Sequence, residues 1–248
     1  MYILGLNAYH ADSSAAIFKD GVMIAATEEE RFRRVKHWAG FPSEAIKFCL
    51  NECGITIDQV DHIAIGRDPK AKYWKKIQFA LKNPGIGFST IFNRIANSKK
   101  VASLELEFKK IFPEVDENKI KSKIHQVEHH RAHLASAFFA SPFDEAAVIS
   151  IDGSGDFTTT MIGIGKGNKI EILNSIDFPH SIGIFYTAMT QYLGFPHYGD
   201  EYKVMGLAPY GRPSYVEKLR KLVQLTEDGL FKLDLEYFNA TKSGVITY

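Results

Sequence analysis

Apolar residues along this chain fall first into short alternating runs and then into helical spacing. "YILGLN", "SAAIF" and "VMIAATEEE" each fit a strand, with "AYHADSS" and "KDG" as the polar turns between them. In "FPSEAIKFCLNECG", Ala45, Phe48, Cys49 and Leu50 supply the apolar face of a helix, Pro42 and Ser43 mark its start and Gly54 its stop. "VDHIAIGRD" predicts one more strand. From Pro69 to about Val115 the chain turns lysine-rich, with "YWKKIQFALKNPGIGF" and "SLELEFKKIF" as helix-like pieces. That stretch reads as a helical insertion whose lysines form a solvated face, with a binding surface as the alternative.

The opening pattern then returns. "AAVISID", "GSGDF", "TTTMIGIG", "KGN" and "KIEILNSIDF" repeat the order strand, turn, strand, turn, strand, and the helix "SIGIFYTAMTQYLGF" follows. Asn7 and Asp152 each end a first strand, and Ser13 and Ser14 correspond to the run Thr158–Thr160. The repeat predicts an internal duplication in an α/β protein. A first lobe would span 1–145, with the helical insertion at about 69–115, and the start of a second would span 146–248. Paired β-β-β-α lobes resemble the actin-like, ribonuclease H-like superfamily of sugar kinases and heat-shock chaperones, where facing polar turns hold phosphates in a cleft. An unrelated α/β sheet is the alternative. Because little after the second helix matches the first lobe, the chain is expected to be part of a longer protein.

Composition narrows the partners. The net charge of +1 gives no global attraction to nucleic acid or an anionic membrane. No apolar run approaches the roughly 20 residues that span a bilayer, and the apolar N-terminus lacks the basic start of a signal peptide. Cys49 and Cys53, four apart on a helical pattern, are expected in the core rather than in a disulfide, which points to the cytoplasm.

The densest chemistry lies in "HQVEHHRAHLASAF", which holds four of the nine histidines. "KIHQV" predicts a short strand, and a helix starts near "HHRAH". Residues four apart on a helix share a face, with Cβ atoms about 5–6 Å apart. His129 and His133 can therefore address one cation, while His130 turns away. The zinc-protease pattern needs glutamate where His130 stands, so hydrolysis by that route is disfavoured. Asp152, at the end of a strand, is the best third donor. His125 and His130 are expected to be structural or supporting. The plain alternative is a helix start whose imidazoles meet solvent or backbone.

Several stretches then carry a resemblance. "HHRAHLASAFFASPFDEAAVISIDGSGD" closely resembles the signature of the NodU-type O-carbamoyltransferases, and "ILGLNAYHADSSAAIFKDGVMIAATEEERFRRVKH" resembles their N-terminal motif. "FYTAMTQYLGF" and "GDEYKVMGLAPYG" resemble their later blocks, in the family's order. The family's first domain is similar to the tRNA threonylcarbamoyl-transfer proteins, which share the actin-like fold. The resemblance implies that His129, His133 and Asp152 are metal ligands, with a further carboxylate past Tyr248. Iron(II) suits two histidines and a carboxylate, with zinc or manganese as alternatives. It also implies a YrdC-type domain downstream that makes carbamoyl adenylate from ATP and carbamoyl phosphate, and a small-molecule hydroxyl acceptor.

On that reading His10, in the first turn, is a candidate general base beside Asp12, with stabilisation of the turn as its equal alternative, and Ser13 and Ser14 are hydroxyls for the nucleotide. Gly153 and Gly155 would let backbone N–H groups approach an anion, and Lys203 would meet a phosphate or pair with Glu201 or a neighbour. Arg31, Arg34 and Lys36 read as a solvated face. An actin-like ATPase or kinase and a tRNA-modifying partner protein are the competing functions.

Overall fold

In a computed structural model, residues 1–83 and 103–238 are described. They form two compact units, one of residues 1–70 and 103–128, the other of 71–83 and 129–238. The chain is an α/β protein.

The first unit is built on a five-stranded sheet. β1 (Tyr2–Asn7), β2 (Ser14–Lys19) and β3 (Val22–Glu28) run antiparallel, and β4 (His62–Ile65) and β5 (Ile124–Gln126) continue beyond β1 as parallel strands. The order is β3-β2-β1-β4-β5. β2 and β3 are joined by Asp20 and Gly21, both at positive φ, the two-residue hairpin that an Asp-Gly pair favours. Alternation in β1 and β4 sends Leu4, Leu6, Ile63 and Ile65 inward. They meet Ala45, Ile46, Cys49 and Leu50 of the helix Ser43–Cys53. Gly54 ends that helix in the left-handed conformation, as the stop signal predicts. Leu104 and Phe108 from the helix Leu104–Ile111, and Ile120 from the helix Glu117–Lys123, complete the core. Both cysteines are free thiols, Cys49 fully buried and Cys53 half-buried.

Of the lysine-rich insertion, the structure shows the helices Tyr73–Lys82 and Leu104–Ile111. Residues 84–102 lie outside the described part. No residue of Tyr73–Lys82 is fully buried, but Phe79 packs against the Phe157 and Phe178 rings and Lys75 pairs with Asp177 at 2.6 Å, so the helix is not a purely solvated face.

The second unit opens on the antiparallel sheet β6-β7-β8, formed by Glu145–Gly155, Thr158–Lys166 and Lys169–Asp177. The helix His129–Phe138 packs on one face through Leu134 and Phe138, against Val148 and Met161. Gly165 leaves room for the Phe138 ring, which a Cβ there would overlap. The helix Ile182–Tyr192 meets the end of β6, and a hairpin of β9 (Val223–Leu225) and β10 (Phe231–Leu233) lies further along. The order of three strands and a helix thus occurs in both units, as the sequence pattern predicts.

A candidate metal centre

The helix that starts at His129 is set by its N-terminus. Its first N–H donates to Asp156 Oδ2 at 3.0 Å, which satisfies one of the donors that a helix start leaves open. One turn on, His133 lies on the same face, and the two Nε2 atoms are 3.0 Å apart.

β6 brings the third group. "DGSG" is still strand, but its pairing with β7 slips between Ile151 and Gly155, so Asp152 lies on a bulge. Bulges re-aim side chains, and this one turns Asp152 Oδ2 to within 2.8 Å of His129 Nε2 and 3.6 Å of His133 Nε2. The other oxygen, Oδ1, accepts the N–H of Gly153 at 2.6 Å, which fixes the carboxylate plane. Hydrogen bonds from His129 and then His133 hold the Asp152 carboxyl well below the usual carboxylate range, against the opposing effect of burial.

The space around the triad is shaped by glycine. A Cβ on Gly155 would sit inside the His129 ring. Gly183 lets the helix Ile182–Tyr192 come against the backbone of Asp152 and Gly153, where a Cβ would clash. Ser181 caps that helix, accepting the N–H of Ile184 at 3.0 Å and donating to the carbonyls of Asp152 and Gly153.

His130 points the other way and is fully buried. Its Nε2 faces the Thr158 carbonyl at 3.0 Å, so it carries the proton, and Nδ1 accepts from Ser150 Oγ at 2.8 Å. Burial pushes its pKa down to about 4, with His129 adding to the shift. It is a neutral brace between helix and sheet, the supporting role that the spacing predicts.

These donors fit a cation. An ion about 2.0–2.2 Å from each donor would place neighbouring donors about 2.8–3.6 Å apart at octahedral or tetrahedral angles. The three separations, 2.8, 3.0 and 3.6 Å, span that range. Two imidazoles and one carboxylate suit iron(II), zinc or manganese rather than magnesium or calcium. His133 is half exposed and Asp152 partly so, which leaves one side of the group open.

Other residues singled out in the sequence hold different company. His10, Asp12, Ser13 and Ser14 belong to the first unit. His10 is exposed, with Nδ1 3.3 Å from the Ala11 carbonyl, while Asp12 pairs with His37 Nδ1 at 2.9 Å. Ser13 is buried and its hydroxyl donates to the Gly40 carbonyl at 2.7 Å; Ser14 begins β2. Tyr9 and Asp12 in this turn, and His37 that pairs with Asp12, take positive φ. Lys203 pairs with Asp200 at 2.6 Å rather than with Glu201, whose carboxylate accepts from Thr187. Arg31 pairs with Glu28 and is exposed.

The carbamoyltransferase N-terminus family matches residues 2–247. This chain belongs to that carbamoyltransferase family. Among its relatives, a Synechocystis protein, "Uncharacterized protein sll1178", is 44% identical over 242 residues, covering 96% of this chain and 39% of its own length. Nodulation protein NolNO of Sinorhizobium fredii is 31% identical over 245 residues, covering 95% of this chain and 33% of its own. The chain therefore spans well under half the length of these relatives. A solved structure, YeaZ from Pseudomonas aeruginosa, aligns at a TM-score of 0.38 and 14% identity over 72% of this chain and 68% of its own. No described helix is long and apolar enough to cross a membrane.

Proposed function

We propose that this chain is the carbamoyl-transfer part of a metal-assisted O-carbamoyltransferase, moving a carbamoyl group from carbamoyl adenylate to a hydroxyl of a small molecule. The observation that carries the metal reading is the convergence of His129 Nε2, His133 Nε2 and Asp152 Oδ2. Family membership carries the chemistry. The adenylate would be made from ATP and carbamoyl phosphate by a YrdC-type domain in the longer protein. The actin-like fold with two duplicated lobes belongs to the same proposal.

A divalent ion held there, with iron(II) favoured, would supply Lewis acidity toward an anionic or carbonyl oxygen. The chain's own residues do the rest. Asp152, pinned by Gly153, keeps its negative charge, and the two imidazoles bring their Nε2 atoms to the same point beside it. The acceptor oxygen attacks the carbamoyl carbon, the bond from that carbon to the phosphate oxygen breaks, and AMP leaves with the electron pair. The acceptor's proton passes to a base, for which His10 is the candidate, with Asp12 bonded to His37 in the same turn. Ser13, Ser14, Gly153, Gly155 and Lys203 are assigned to the nucleotide, Gly155 also making space for His129.

The test has two arms. Metal-stripped chain should take up iron(II), zinc or manganese, and His129→Ala or Asp152→Asn should remove one equivalent of that uptake. The full-length protein, given ATP, carbamoyl phosphate and a panel of hydroxyl compounds, should yield a carbamoylated product detectable by mass spectrometry. Uptake that ignores both substitutions overturns the metal assignment, and no product across a broad panel overturns the transferase assignment.

A further inference from the structure

A second pair of imidazoles meets on the first unit, apart from the residues assigned above. His62 begins β4 and His125 is the middle residue of β5, the edge strand of the five-stranded sheet. β4 and β5 run parallel with Ala64 opposite His125, so His62, two residues before Ala64, shares its face. Ile63 and Ile65 on the other face are anchored in the core, which leaves the strand backbone little freedom. Both histidines are exposed, and His62 Nδ1 stands 2.9 Å from His125 Nε2. The rings tilt 60° to one another with centroids 4.9 Å apart, so the two nitrogens converge edge to edge instead of stacking.

We propose that His62 and His125 form a second, surface-accessible site for a borderline transition-metal ion, copper(II), nickel(II) or zinc(II). Two neutral imidazoles at this distance can share a single proton, and an ion can replace that proton. Nitrogens about 2.0–2.1 Å from one ion and at right angles to each other stand about 2.9 Å apart, the separation seen. Imidazole donors select the later first-row ions, with copper(II) binding most strongly, and have little affinity for magnesium or calcium. No third histidine, cysteine or carboxylate joins them within metal-ligand reach among the described residues. The remaining positions therefore belong to water or an external donor, which makes the bound ion exchangeable. β4 and β5 fix the separation of the two rings, so the site is preformed.

The pair can be tested free of the triad. In a His129→Ala, His133→Ala background, metal-free chain is titrated with copper(II) and followed by equilibrium dialysis and electron paramagnetic resonance. We expect one equivalent with a two-nitrogen superhyperfine pattern. Adding His62→Ala or His125→Ala should remove that equivalent, with the far-UV circular dichroism unchanged because both side chains are exposed. His125→Asn serves as a second variant should the alanine change disturb the edge strand. Copper uptake that persists with the same spectrum after either substitution, or a one-nitrogen pattern in the background protein, overturns the site. Neither result bears on the triad, which is read in chain that keeps His129 and His133.

Discussion

Glycine at position 155 is the smallest part of the candidate centre and among the least replaceable. Any Cβ there would occupy the volume of the His129 ring, which Asp152 holds at Nε2, while Asp156 holds the backbone N–H of the same residue. Gly155→Ala should therefore destabilise the chain by about 1–3 kcal/mol through overpacking. It should also weaken metal binding roughly 10–100-fold by displacing a ligand through its support. Denaturant titration and metal titration of the same sample check both numbers; unchanged affinity would mean that the ring position does not matter. In the sequence Gly155 reads as a residue for anion approach. Its contact with His129 spans 26 residues of chain, and no local pattern encodes that distance.

Helix starts carry much of the order at the next scale up, and each is held by a different device. The helix Ser43–Cys53 has Pro42 before it and no cap from its own start. Instead Glu29, fully buried, reaches across from the end of β3 and accepts the N–H groups of Glu44 and Ala45 at 2.9 and 2.8 Å through one oxygen. Its other oxygen takes Arg33 Nε at 2.7 Å, and the Arg33 guanidinium lies over the Trp38 ring. A negative charge at a helix N-terminus with a cationic partner is a stable arrangement that one deletion breaks. Glu29→Ala should cost about 2–4 kcal/mol in the denaturant midpoint, because two helix N–H groups and a guanidinium lose their acceptor together. A loss within a few tenths of a kcal/mol would contradict that role. In "TEEERF" the three glutamates look alike. Only packing tells the buried one from its exposed or half-exposed neighbours.

At the scale of the molecule, among the described residues burial favours the neutral form of two histidines, the fully buried His130 and the half-buried His180. Desolvation lowers His130 to about 4, and it also lowers His180, whose Nδ1 accepts the N–H of Leu233 at 3.1 Å. The unfolded chain binds a proton at each below pH about 6.5, and the folded chain does so only at lower pH. Stability should therefore be complete above that value and fall as the pH drops through it, by at most about 1.4 kcal/mol per pH unit for each histidine. Urea midpoints at pH 7.5, 6 and 5 check the slope. His180→Gln should flatten it, and a midpoint that holds steady down to pH 5 would contradict the neutral pair. The same burial that costs stability in acid keeps His130 in a single tautomer behind the triad.

Much was determined along the chain itself. Period-two alternation places β1 to β8, the Asp-Gly pair places a hairpin, Gly54 places a helix end, and four-residue spacing puts His129 and His133 on one face. These are short-range effects, set by backbone geometry and by neighbours within a turn or two. The tertiary structure decided the rest. It made the bulge that turns Asp152 toward the histidines, the room that Gly155 and Gly183 leave, the Glu29 cap, and the meeting of His62 with His125. Each of those depends on which strands and helices pack side by side, and pairing of that kind is settled by burying apolar surface over long stretches of chain rather than by any residue's own preference.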